Sequence, residues 1–239
     1  MTDSRAYHHG DLRSALVEAG LEMTRAGGPT AVSLREVTRR VGVSPAAAYR
    51  HFRDRRQLMG AIALVIQERM AARMRERMAL PADADAPERA LQHLRGVGLG
   101  YIGFAIEEPG WFETAFFGRA REAAQEAAAD ALGSGAAGPD AAEPGAAGPG
   151  AAGPGAAGPG AAAGGAAPPP FALLTAALDE CVEAGVLSAQ RRPGAEFVCW
   201  SAVHGCAGLL LYGPLRGAPP EVVREVSARV VDDIITGIR

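Results

Sequence analysis

The chain has 239 residues, 48% of them apolar, enough to bury one large core or two modest ones. It contains no run of about eighteen apolar residues, and its first residues, Met1 to Arg5, lack the apolar core of a signal peptide, so neither a membrane span nor export is expected and the cytoplasm is the expected location. The net charge of -3 hides an asymmetry: residues 1–60 hold ten arginines against six acids, a surplus of +4, while the remainder carries -7, which confines any nucleic-acid contact to the N-terminal quarter.

The first predicted helix covers residues 11–26, where Leu12, Leu16, Ala19 and Met23 form one apolar stripe, and Gly27-Gly28-Pro29 stops it. His8 and His9 precede it without a carboxylate or thiol at ligand spacing, so they read as a solvated pair and not as a metal site. Ser33 and Glu36 have capping-box spacing, which starts a second helix at that point. That helix runs to about Arg40, because Gly42 supplies the left-handed conformation that ends helices, and Ser44-Pro45 begins a third with Pro at its first position. Val37, Val41, Val43, Tyr49 and Phe52 are expected inside; Arg35, Arg39, Arg40, Arg50, Arg53, Arg55 and Arg56 are expected outside. Two short helices across a tight turn make a helix-turn-helix, whose second helix enters the major groove. Ala46, Ala47 and Ala48 give that helix a smooth front, suited to close approach to base edges and thymine methyl groups.

The segment from Val41 through Leu58, with Tyr49, His51 and Phe52 at its centre and a basic start to the next helix, resembles the recognition segment of the TetR (tetracycline-repressor) family. The opening Tyr7-His8-His9-Gly10-Asp11-Leu12-Arg13 is also similar to openings in that family. The resemblance implies an all-α protein: a three-helix DNA-binding head at residues 1–56, joined by a long helix to a ligand-binding and dimerisation body at 57–239. It further implies that Tyr49, His51 and Arg55 touch phosphates, that Arg35 sits where second-helix contacts are common, and that the arm before the first helix lies near the DNA. From the residues themselves, Ser44 and Pro45 open the recognition helix, whose N-terminus suits a phosphate, and Ala46, Ala47 and Arg50 form the base-facing surface, Arg50 being able to fork onto guanine.

The fourth helix starts at Asp54, which pairs with Gln57 as a second capping box, and continues to Met78, a span of roughly 35 Å at 1.5 Å per residue. Pro81 to Pro87 breaks it, and helical periodicity returns from about Glu88. Gly96, Gly98, Gly100 and Gly103 in the next stretch weaken an isolated helix and permit close helix contact or ligand approach. Glu108-Pro109-Gly110 then leads into the aromatic run from Trp111 to Phe117. Residues 133–170 are a Gly/Ala/Pro insertion with prolines five apart and no large side chain, expected to be disordered and to hold no site. Helices are expected again over 171–186, 196–211 and 220–238.

Trp200, His204 and Gly205 resemble the penultimate helix of one TetR subgroup, in which the last two helices of each subunit form the dimer interface. The functional expectation is a homodimeric, ligand-responsive regulator, a repressor, binding a palindromic double-stranded operator. Its effector is expected to be a small apolar molecule among Tyr101, Phe104, Trp111, Phe112, Phe116, Trp200 and His204. No metal or cofactor is expected, and the motif partners that would make His204 a catalytic base are missing, so the protein reads as no enzyme. Cys181, Cys199 and Cys206 are too few and wrongly spaced for a disulfide framework or a zinc site. Buried structural thiols are the plain reading and a redox-sensing regulator the alternative. A non-specific DNA-compacting protein is the other rival, disfavoured by the acidic body.

Overall fold

The computed structural model describes residues 9–79, 84–118 and 167–239, whose regular elements are α-helices and one 3-10 turn, with no strand among the described residues. The helices are α1 His9–Gly27, α2 Leu34–Val41, α3 Pro45–Tyr49, α4 Arg55–Arg77, α5 Ala86–Glu107, α6 Pro109–Phe116, α7 Pro169–Glu183, α8 Ala195–Leu211 and α9 Pro220–Ile238; the 3-10 turn Pro29–Ala31 joins α1 to α2. The expected disordered stretch 133–166 and the arm with His8 lie outside the described residues. Residues 167–170 of the expected insertion are described: α7 begins at Pro169, and Pro170 is already buried.

Local side-chain chemistry sets the boundaries of the head. Ser33 Oγ accepts from the Glu36 N–H at 3.1 Å, and Gly42 sits at φ 78°, ψ 31°, the left-handed conformation that lets its N–H reach the Thr38 carbonyl. The expected capping box is half made. The Glu36 carboxylate turns away to Arg39, whose Nε donates to it at 3.0 Å, because a guanidinium three residues on competes better than a backbone N–H. Ser44 Oγ accepts from the Ala47 N–H at 3.3 Å. Asp54 accepts from the Gln57 N–H at 2.7 Å, and the Gln57 amide oxygen accepts from the Arg53 N–H at 2.7 Å, one residue earlier than the reciprocal box predicts.

Leu16, Val37, Ala48, Phe52 and Leu58 are fully buried and fill the head's core. Tyr49, expected inside, is 54% exposed. Ala48 takes the inward place because it lies one helical turn before Phe52, on the same face, while the next residue is rotated by about 100°. The smooth front of α3 is therefore Ala46 and Ala47 alone.

In the body, α5 is the central helix, packed against α4, α7, α8 and α9. A Cβ on Gly96 would lie 2.5 Å from the Arg77 carbonyl oxygen, and one on Gly100 would lie 2.7 Å from the Met74 Cα, so α4 and α5 run antiparallel at backbone contact. Gly98 does the same against Val231 of α9, at 2.9 Å from its side chain. Helix α6 returns to the head: a Cβ on Gly110 would collide with the Thr24 and Arg25 carbonyls of α1. Its Trp111 donates Nε1–H to the Leu21 carbonyl at 2.8 Å.

Candidate nucleic-acid interface and effector site

Ser44, Pro45, Ala46, Tyr49 and Arg50 stand exposed along α3 and its end, with Ala47 and His51 half-buried beside them and Arg35 exposed on α2. These eight residues lie on two helices fixed to one another by the Gly42 turn. Among the described residues, Arg35 and Arg50 have no ion-pair partner, whereas Arg39 pairs with Glu36 and Arg40 with Glu22 at 2.8 Å. A guanidinium without a carboxylate keeps its charge available to a phosphate or a base edge. Arg53, which lay outside the expected site, has a side chain 88% exposed and only a loose 3.9 Å approach to Asp54. Its place in the turn after α3 would have been the signal.

Arg55 points elsewhere. Its Nε donates to the Val32 carbonyl at 2.8 Å and its Nη2 to the Pro29 carbonyl, and partial burial lowers its pKa from the usual value. The side chain expected at the phosphates instead ties the start of α4 to the chain between α1 and α2, where the fork is taken up by two backbone carbonyls.

The seven residues expected around an effector divide into two groups. Tyr101, Phe112, Phe116, Trp200 and His204 form one cluster. The Tyr101 ring lies 4.9 Å from Trp200, 5.7 Å from Phe112 and 5.8 Å from Phe116, and its hydroxyl is hydrogen-bonded to His204 Nδ1 at 2.7 Å. Phe104 and Trp111 are outside it, stacked on each other at 6.3 Å. Arg25 and Arg69 approach the Trp111 ring at 5.1 and 4.8 Å, and Arg25 forms a two-bond ion pair with Glu108. These two aromatics therefore serve the junction of head and body. Phe117, not among the expected seven, stacks on His204 at 5.2 Å. It directly follows Phe116, and that adjacency was the available signal.

Beside the cluster lies an apolar cavity of about 20 Å³, lined by Met74, Val97, Tyr101, Leu174, Trp200 and Val231 among others. That is room for one or two water-sized spheres, and the apolar walls offer water little to bond. The rings pack against one another, and an effector would have to part them. Burial pushes the Tyr101 hydroxyl up and the His204 imidazole down in pKa, so both are neutral near pH 7.

Cys181, Cys199 and Cys206 are free and buried. Burial pushes the thiols of Cys181 and Cys199 up to about 11 and raises that of Cys206, which suppresses the thiolate that redox sensing needs. Among the described residues no three His, Cys, Asp or Glu side chains cluster as metal ligands, and no helix is long and apolar enough to cross a membrane.

The outer side of α8 is apolar. Val198, Leu209 and Tyr212 are about half exposed, and with Ala202 and Gly205 they repeat at intervals of four and three, one stripe along the helix. On α9, Val222, Val223 and Val226 are only half-buried.

Residues 16–62 match the family model for bacterial regulatory proteins of the tetR family, and residues 94–234 match that for the tetracyclin repressor-like C-terminal domain. The chain is similar to a solved protein with unknown function from Rhodococcus sp. RHA1, with TM-score 0.63 and 24% identity over 98% of this chain and 99% of that one. It is also similar to a TetR variant from Acinetobacter baumannii AYE in complex with minocycline, with TM-score 0.50 and 15% identity over 94% of each chain. A third similar structure is the TetR family transcriptional regulator PfmR from Thermus thermophilus, with TM-score 0.49 and 17% identity over 94% and 98%. No functionally curated protein matches the chain.

Proposed function

The chain belongs to the TetR family of bacterial regulatory proteins and is a DNA-binding transcriptional regulator, and from that premise we propose that it acts as a homodimeric, ligand-responsive repressor of a near-palindromic operator. The observation that carries the reading is the exposed end of α3, with Arg35 and Arg50 unpaired among the described residues on a rigidly capped head. Ser44, Pro45, Ala46, Ala47 and Arg50 face the bases and the nearest phosphate, and Tyr49, His51 and Arg35 contact the backbone. Arg53 joins them, and Arg55 holds the head together. One such helix makes few base contacts; two related by a two-fold axis read half-sites roughly 34 Å apart or a multiple of that. The apolar stripe on α8, with the half-exposed valines of α9, supports pairing of the last two helices with a second copy, because Gly205 and Ala202 permit close helix approach. Trp200, His204 and Gly205 are in keeping with the subgroup whose dimers pair in that way.

The effector enters the cluster around Tyr101, Phe112, Phe116, Trp200 and His204. Phe112 and Phe116 sit on α6, whose other face holds α1 through Trp111, and Met74 of α4 lines the adjoining cavity. Parting the rings therefore shifts α6 and α4 together and changes the spacing of the two heads. A ligand does this only by binding one spacing better than the other.

Selection of bound duplexes from a random pool, with sedimentation of the free protein, tests the reading. A palindromic consensus and a dimer are expected, with Arg50→Ala relaxing one base position at a cost of ~1 to 3 kcal/mol. A monomer, or binding with no sequence preference, overturns it.

A further inference from the structure

The cluster around His204 has a chemical polarity that follows from one hydrogen bond. Tyr101 is 1% exposed, and the only hydrogen bond of its hydroxyl among the described residues is with His204 Nδ1 at 2.7 Å. Two arrangements satisfy that distance. If Nδ1–H donated to the phenolic oxygen, two groups would be left without partners among the described residues, the hydroxyl hydrogen of a residue 1% exposed and a bare Nε2; if the hydroxyl donates, only Nε2–H is left, on an imidazole that is half-buried. The hydroxyl must therefore donate to a bare Nδ1, and a neutral imidazole then carries its hydrogen on Nε2. Burial alone lowers the His204 pKa, with no charged neighbour acting on it, so the neutral form holds at pH 7. Nε2–H has no hydrogen-bond partner among the described residues, and five rings lie against the half-buried imidazole. Phe117 lies at 5.2 Å, Phe112 at 5.5 Å, Phe116 at 5.8 Å, Tyr101 at 6.2 Å and Trp200 at 6.4 Å.

Resting on the ligand-responsive reading above, we propose that the effector is a neutral, flat aromatic molecule bearing a hydrogen-bond acceptor of the carbonyl type, its oxygen taken by His204 Nε2–H and its faces by Phe116, Phe117 and Trp200. An ammonium-type ligand would meet the N–H hydrogen with its own and gain nothing from it. A carboxylate would lose its hydration against apolar rings with only one neutral donor in exchange. A neutral acceptor satisfies the free donor and leaves the rings their offset and edge contacts.

Two measurements on the full-length protein test this. With 15N-labelled histidine, the His204 ring is expected as the Nε2–H tautomer at pH 7, with the Nε2 resonance moving when 2-acetylnaphthalene is added; the Nδ1–H tautomer overturns the proposal. By calorimetry, 2-acetylnaphthalene should bind roughly tenfold more tightly than its hydrocarbon counterpart 2-isopropylnaphthalene, the worth of one net hydrogen bond. His204→Phe should abolish that preference and still bind the hydrocarbon. Equal affinities in the unaltered protein, or no binding of either probe, overturn acceptor recognition. Operator release by a wider panel of apolar compounds separates the two levels. If some compound releases the operator while the ketone has no advantage, the ligand-responsive reading stands and the acceptor proposal falls. If none does, both fall.

Discussion

The head and the body hold their helices by different means. The head's α2 and α3 have 8 and 5 residues, too short to be stable alone, and a side chain or a special backbone conformation holds three of their four ends, Ser33, Gly42 and Ser44, as Asp54 holds the start of α4. The body uses long helices and brings them together by removing side chains, with Gly96 and Gly100 letting α5 lie on the backbone of α4. Caps act within three residues and leave a surface free, which a reader of DNA needs. Close backbone contact acts between distant segments and transmits displacement, which the proposed response to a ligand requires.

The largest expected effect breaks the body's side of that contrast. A methyl group on Gly96 would fall 2.5 Å from the Arg77 carbonyl oxygen and 2.8 Å from its carbon, atoms that cannot rotate away. Gly96→Ala should therefore cost about 3 kcal/mol, lowering Tm by roughly 6–12 °C. Gly103 on the same helix has nothing within 4 Å of the point where a Cβ would stand, so Gly103→Ala should stabilise by about 0.5–1 kcal/mol through helix propensity. Thermal melts of the pair decide it: equal melting temperatures would mean that backbone contact does not hold α4 to α5.

The head's side is sharpened by smaller changes. Asp54→Ala and Ser44→Ala each remove a cap worth about 1 kcal/mol. The Asp54 bond is the shorter, 2.7 Å against 3.3 Å, and comes from a charged acceptor, so Asp54→Ala should lower the urea midpoint more. The reverse order would show that the bond lengths do not rank the caps.

The same difference explains what the sequence made readable. The start of α2, the turn at Gly42 and the start of α4 are stated by residues three or four apart, and α9 has the expected bounds, Pro220 to Ile238. The glycines of α5 permitted close helix contact or ligand approach before any partner was known; Gly96, Gly98 and Gly100 make helix contact, and Gly103 has nothing within 4 Å of its would-be Cβ. Which rings would meet was not readable, because Trp111 and Phe112 are neighbours pointing about 100° apart on α6. Only the seating of Gly110 on the Thr24 and Arg25 carbonyls, more than eighty residues away in the chain, turns the first toward the head and the second toward Tyr101. Tyr49 and Ala48 exchanged expected places for the same reason: both positions are helical, and the fit against Phe52 chose between them. Arg55 looked like a phosphate ligand from its position in the chain and was claimed by two carbonyls that no local pattern reveals.

The smallest expected effect follows acid into the body. Burial lowers the folded-state pKa of His204 below its ordinary 6.5, so above that pH the imidazole is neutral in both folded and unfolded chains and contributes no slope. As pH falls below 6.5, the unfolded chain takes up a proton that the folded cluster resists, and stability declines until the folded pKa is passed. The protein should thus lose stability on acidification, and His204→Gln should have a flatter profile over the same interval. Urea midpoints at about pH 7.5, 6.5 and 5.5 measure this. Parallel profiles would mean that the folded cluster accepts the proton as freely as the unfolded chain does, and that burial against the rings does not hold the imidazole neutral.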